Sequence, residues 1–156
     1  MPTLPWTEEL EIGLPEMDEQ HHEFVRLLAA ARTSDDAGLP AAWQALVGHC
    51  ESHFAHEEAW MRDRCFAPAK AHAMQHRMIL RVMRDGAAKA SNGDITPMRL
   101  MTRELQVWFP QHAQTMDAAL AAHLQRAGFV PQASILMPLP KATRPLIDSA
   151  SGFGSA

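Results

Sequence analysis

Apolar positions through the middle of the chain recur at three- and four-residue steps, and Pro and Gly clusters cut the pattern into four stretches too long for strands. A helix over about residues 17–32 puts Met17, His21, Phe24, Val25 and Leu28 on one face, at about 100° per residue. A second, from about Ala41 after "GLP" to about Arg64, aligns Trp43, Leu46, Val47, Cys50, His53, Phe54, Glu57 and Met61. A third runs from about Pro68 to Ala90, aligns His72, His76, Ile79, Leu80, Met83 and Ala87, and stops at "SNGD". The fourth opens at "DITPMR", where Thr96 can cap and Pro97 takes the first helical position. It continues to Ala127 before Gly128 and carries Met98, Met101, Leu105, Trp108, Phe109, His112, Met116, Leu120 and His123 on its stripe.

Four amphipathic helices joined by short loops predict an all-α fold, an up-down-up-down four-helix bundle with an N-terminal arm. The arm, residues 1–15, carries Trp6, Ile12 and Leu14 and is expected to pack over the bundle. The bundle domain is assigned to residues 1–128, and residues 129–156 to a proline-rich, flexible C-terminal tail through which a protein partner could be reached. Within the tail, Ile135, Leu136 and Met137 are the stretch that could dock.

Composition narrows the function. A net charge of -4 and a pI near 6.1, without a basic block, argue against nucleic acid as a partner. No apolar run approaches the roughly 18 residues that span a bilayer, and "MPTLPWTEEL" lacks the basic-then-apolar layout of a signal peptide. The chain therefore reads as a cytoplasmic protein without a membrane partner, and as a monomer. Cys50 and Cys65 read as reduced thiols in small core positions. Nine histidines are the anomaly.

They crowd most in "GHCESHFAHEEAWM", where helical phase separates them. Glu57 lies within about 20° of the centre of the apolar stripe and His53 within about 60°, whereas His49 and His56 lie about 100° and 120° away. Glu51 and Glu58 fall on the outer side and read as solvated charges. The same test turns His21 inward and His22 outward, and His72 and His76, four apart, share one face. A lone inward histidine is usually a hydrogen-bonded core residue. Five of them, His21, His53, His72, His76 and His112, converging from four helices with the costly buried carboxylate of Glu57, call for a compensating metal. The set is too large for one ion, so two ions of an imidazole-binding metal such as iron, zinc or copper, spanned by carboxylates, fit better.

The spacing resembles that of hemerythrins, in particular bacterial single-domain ones. "DEQHHEF" surrounds His21, "HFAHEEAWM" matches HFxxEE, "HAMQH" matches HxxxH, and "WFPQHAQTMD" matches WLxxHxxxxD. The opening "WTEELEIGLPEMDEQHH" is similar to the family's Trp-containing arm and GIxxIDxQH entry, so the likeness runs from residue 6 to about 127. The resemblance implies a non-haem di-iron centre of two Fe ions (Fe2+/Fe3+) with an oxygen bridge from water, binding O2 reversibly at one iron. Carried over, His72, His76 and His112 hold the coordinatively full iron, His21 and His53 hold the open one, and Glu57 and Asp117 bridge.

Asp117 comes from the resemblance alone. Five residues after His112, it lies about 140° around an ideal helix. Either the helix widens there, as in a π-bulge, or the two residues reach the centre from opposite flanks. Pro110, which cannot donate to the carbonyl of Gln106, favours a distortion nearby. The family often has Leu and a bulky aliphatic residue where this chain has Phe109 and Ala113; with Trp108 these resemble positions lining the O2 pocket. His49, His56 and His123 match no ligand and read as surface or supporting residues.

The expected function is O2 storage, delivery or sensing by a binding protein, not an enzyme. Five imidazoles with two carboxylates stabilise high-valent iron less than carboxylate-rich oxidase sites do. The alternatives are a di-iron enzyme handling peroxide or nitric oxide, and an O2 or redox signalling module acting through a partner.

Overall fold

The computed structural model describes residues 3–128. The proline-rich tail assigned to residues 129–156 lies outside them. The described residues form helices α1 (Pro15–Thr33), α2 (Leu39–Asp63), α3 (Ala69–Ser91) and α4 (Thr96–His112), then a π-helical turn, Ala113–Asp117, that leads without a break into α5 (Ala118–Arg126). No strand occurs among them. A short 3-10 turn, Glu8–Leu10, sits in the N-terminal arm. Each helix packs on its neighbours in sequence and α1 closes against α4, which makes the fourfold ring of an up-down-up-down bundle. No described helix is long and apolar enough to cross a membrane.

The predicted faces of the first two helices are buried in full: Met17, His21, Phe24, Val25 and Leu28 on α1, and all eight stripe residues of α2, joined by Trp60. Two apolar clusters hold the bundle together. The larger is built around Trp43, Leu28, Leu46, Met83 and Leu105, and the Trp43 indole N–H donates to the Met83 carbonyl at 2.9 Å. The smaller joins Leu14, Met17, Trp60, Met61, Phe66, Leu120 and Leu124. The polar inward residues form a layer between the two, so the site is walled by hydrocarbon above and below.

The arm packs as expected. Leu10 and Leu14 are buried, Trp6 stacks on His22 with ring centroids 3.5 Å apart, and the Asp18 carboxylate accepts the main-chain N–H of Ile12 at 2.8 Å and of Gly13 at 3.2 Å. Gln125 adds a 2.7 Å bond from its amide to the Gly13 carbonyl, tying arm to α5.

Three expectations are corrected. Thr96 is not a cap but the first residue of α4, and the side chain that receives a helix-start N–H is Asp94, which accepts from Thr96 at 3.1 Å. On the last helix the stripe changes phase after His112: Asp117, Leu120, Ala121 and Leu124 are buried, while Met116 and His123 are partly exposed. A π turn inserts one residue into the repeat and rotates everything beyond it by about 100°. Third, of the two cysteines only Cys50 is a core thiol. Burial pushes the pKa of its thiol up to about 12, whereas Cys65 is exposed.

Cys65 instead closes α2. With φ at +51° it occupies the left-handed position usually given to glycine, while Phe66 N–H reaches the Met61 carbonyl at 2.9 Å and Cys65 N–H the Arg62 carbonyl at 3.4 Å. The same pair of bonds closes α3 through Gly93, from Asp94 to Lys89 and from Gly93 to Ala90, both at 3.0 Å. A Cβ in this conformation costs about 1–2 kcal/mol, against about 0.5–1 kcal/mol of extra chain entropy for glycine. Cys65→Gly is therefore expected to raise the unfolding free energy by about 0.5–1 kcal/mol, measured as a higher urea midpoint at constant slope; an unchanged or lower midpoint contradicts it.

Candidate metal centre

Seven side chains meet in the polar layer. His21 comes from α1, His53 and Glu57 from α2, and His72 and His76 from α3; His112 ends α4 just before the π turn and Asp117 is the last residue of that turn. All are buried, none more than 4% exposed. Their donor atoms fall into two groups that could each hold a metal ion: Glu57, His72, His76, His112 and Asp117 in one, His21, His53, Glu57 and Asp117 in the other.

The carboxylates belong to both, one oxygen facing each. Glu57 Oε1 lies 2.9 Å from His53 Nε2, and Oε2 lies 3.3 Å from His72 Nε2 and 3.1 Å from His76 Nε2. Asp117 Oδ2 lies 3.0 Å from His21 Nε2, and Oδ1 lies 3.0 Å from the Nε2 of both His72 and His112. Two donors each about 2.1 Å from one ion and at right angles around it are about 3 Å apart. Despite this closeness, the Nε2 atoms of His21, His72, His76 and His112 and all four carboxylate oxygens have no hydrogen-bond partner. Orphaned polar atoms of this number in a buried layer are what a metal centre requires and what an apolar core excludes. The residues fit a metal centre.

The π turn answers the question raised by Asp117. An unbroken α-helix would aim residue 116 at the layer; widening the turn brings residue 117 back to the face of His112. Exposed Thr115 donates its hydroxyl to the Gln111 carbonyl at 2.6 Å across this turn.

Charges in the layer offset one another. Burial alone would raise the Glu57 carboxyl, but the imidazole of His53, followed by those of His72 and His76, holds it well below the usual carboxylate range. Asp117 is pushed up by burial and by the Glu57 charge, yet His112, His21 and His72 hold it low as well. Burial pushes His72 down, and the two carboxylates more than reverse this, lifting it to about 9. An incoming metal replaces such protons, so loading releases acid.

Two glutamines orient the rings. The Gln20 side-chain oxygen accepts the Nδ1–H of His53, and the Gln75 oxygen accepts that of His112 at 3.0 Å, each leaving Nε2 free to face the layer. Gln20 also donates its amide to His56 Nδ1 at 3.4 Å, and its main-chain oxygen accepts from His49 Nε2 at 3.0 Å. His49 lies parallel to the His53 ring with centroids 5.9 Å apart. His49 and His56 are thus supporting residues, while His123 donates to the Arg64 carbonyl at 2.8 Å, away from the layer. Glu51 is a surface charge paired with Arg84 at 2.8 Å. Glu58 departs from the expectation of a solvated charge: half-buried, it sets Oε1 3.5 Å from His76 Nδ1.

Helical phase alone points to neither Gln20 nor Gln75, nor to this role of Glu58. A signal exists for the glutamines, since each directly precedes an inward histidine, in "QHH" and "QHR". One step back from the inward face is a helix flank, from which a long amide reaches the ring on the next helix. Of the three positions assigned to an O2 pocket, Phe109 packs edge-on to His21 at 5.2 Å and stacks on Phe24 at 4.4 Å. Ala113 is fully buried. Trp108 stacks on His112 at 4.4 Å, beside the other donor group.

Fold and donor set define a helical-bundle protein with a buried, metal-capable centre of histidines and carboxylates. The family described as Hemerythrin HHE cation binding domain matches residues 13–124, and the chain belongs to the hemerythrin family. It is similar to a bacteriohemerythrin of Ralstonia nicotianae, 34% identical over 128 residues that cover 82% of this chain and 93% of that protein. Bacteriohemerythrins of Stenotrophomonas maltophilia and Pseudomonas aeruginosa are each 26% identical, over 81% and 76% of this chain and 87% and 79% of their own lengths. Family and cluster together suit a non-haem di-iron centre.

Proposed function

We propose that the chain holds two iron ions and binds O2 reversibly, as a storage, delivery or sensing protein. The observation that carries the reading is the split of each carboxylate between the two donor groups, which suits a bridged pair of ions rather than two separate sites. His72, His76 and His112 would hold one iron and His21 and His53 the other, with Glu57 and Asp117 spanning both. The smaller set, two imidazoles against three, would leave room for a small ligand. The chemistry that a bound ferrous pair would supply there is a reversible two-electron donation to O2.

The remaining chemistry belongs to the chain. Gln20 and Gln75 keep His53 and His112 in the tautomer that presents Nε2. Phe24 and Phe109 stack together beside His21 and, with buried Ala113, keep that side of the centre apolar, which excludes the water and protons that promote irreversible oxidation.

The test is anaerobic loading of the full chain with Fe(II), followed by cycles of O2 addition and removal under a visible spectrum. About two irons per chain and a band that comes and goes with O2 are expected. Irreversible conversion to a ferric form with turnover of peroxide would favour an enzyme instead. Tight zinc with substoichiometric iron would sink the di-iron reading.

A further inference from the structure

A trough of apolar surface begins where the described chain ends. It opens beside Arg126 and His123 on α5 and Cys65 at the end of α2, as a pocket of about 520 Å3. It narrows to about 250 Å3 over Phe66, Pro68 and Met116, where the His72 side chain forms part of the floor. It widens again to about 550 Å3 along α3, past Ala71 to Met74 and Met78. These methionines are 48% and 62% exposed, an uncovered hydrophobic stripe of the kind that marks a docking surface.

We propose that the occupant is the chain's own C-terminal segment, with residues 133–139, "ASILMPL", laid along α3. Four features favour it. Gly128, with φ at +65°, ends α5 in the left-handed turn that leads a chain away from the helix axis, next to the mouth of the trough. Ile135 follows seven residues later, a reach of up to about 23 Å, while the stretch of α3 from its first residue, Ala69, to Met78 is only about 14 Å long. Ile135, Leu136, Met137 and Leu139 offer apolar side chains without a charge among residues 129–140, and Pro131, Pro138 and Pro140 favour an extended path over a helix. A tether this short gives an effective concentration on the order of millimolar, which outcompetes a second copy in dilute solution. The tail read from composition as free is then held over part of its length. This placement is independent of which metal the centre holds.

Hydroxyl-radical footprinting of the full chain with mass-spectrometric readout tests it against an Ile135→Asp/Leu136→Asp/Leu139→Asp variant. Oxidation of Met74 and Met78 is expected to rise about threefold or more in the variant, as for release of a segment docked most of the time. The converse variant, Met74→Asp/Met78→Asp, should speed amide exchange within residues 133–139. Equal methionine oxidation in wild type and tail variant overturns the proposal. So does protection that grows with protein concentration alongside a dimer mass in sedimentation, which assigns the trough to a second copy.

Discussion

Moving one carboxylate by a single residue, in a Met116→Asp/Asp117→Ala variant, is expected to lower bound metal from about two ions per chain to one or fewer. On an unbroken helix the exchange would be harmless or even favourable, because residue 116 is four after His112 and shares its face. The π turn, Ala113–Asp117, reverses this. It sets Asp117 between the two donor groups, with Oδ2 3.0 Å from His21 and Oδ1 3.0 Å from both His72 and His112. Met116 points instead into the surface trough. The relocated aspartate would be solvated there, while His21 would lose the only carboxylate oxygen within 4 Å of its ring nitrogens among the described residues. Deleting exposed Gln114 is the control. It removes the extra residue, restores α register, and leaves the carboxylate four after His112 on the inward face with Leu120 and Leu124 still buried. That deletion should retain both ions and an intact helical spectrum. Metal per chain after desalting reads both variants; two ions in the relocated variant would show that register plays no part.

Most of this bundle could be read from periodicity because its helices are regular. Every stripe residue of α1 and α2 is buried, and the inward choices of His21 over His22 and of His53 over its neighbours His49 and His56 agree with the structure. A 3.6-residue repeat is a geometric rule, so it fails where the geometry changes. Beyond His112 it wrongly favours Met116 and His123 over Asp117, Ala121 and Leu124, and nothing in "AQTMD" states the width of the turn. Pro110 hints at distortion but lies before the π segment, inside α4. Side chains acting across helices were also hidden. Glu58 reads as an outer charge on α2, and its nearness to His76 depends on how α3 packs. Cys65 reads as a small core residue, yet the turn ending α2 puts it in solvent at positive φ. Such features depend on pairs of elements, whereas phase along one helix does not.

Gln20→Leu should weaken the metal site built on His21 and His53 about 10–100-fold and leave the His72, His76 and His112 site nearly unchanged. His53 binds through Nε2 only if its proton sits on Nδ1, and the Gln20 oxygen is the acceptor that keeps it there. Leucine fills similar volume without an acceptor. The ring must then bury an unmet N–H, at about 1–3 kcal/mol, or shift its proton to Nε2 and lose the lone pair that faces the layer. Either outcome corresponds to about one to two powers of ten in affinity. The change also frees His56, which the Gln20 side-chain amide bonds, and leaves His49 on the main-chain carbonyl of residue 20; neither histidine offers a donor atom to the two groups. Gln75→Leu is the mirror experiment: it removes the acceptor of His112 Nδ1–H and should weaken the other site. Chelator competition that resolves two dissociation constants separates the cases. Equal weakening of both sites by either variant would mean that the glutamines act on the fold rather than on a ring. Gln20→Glu, which keeps an acceptor and adds negative charge to it, should hold metal at least as tightly as the wild type.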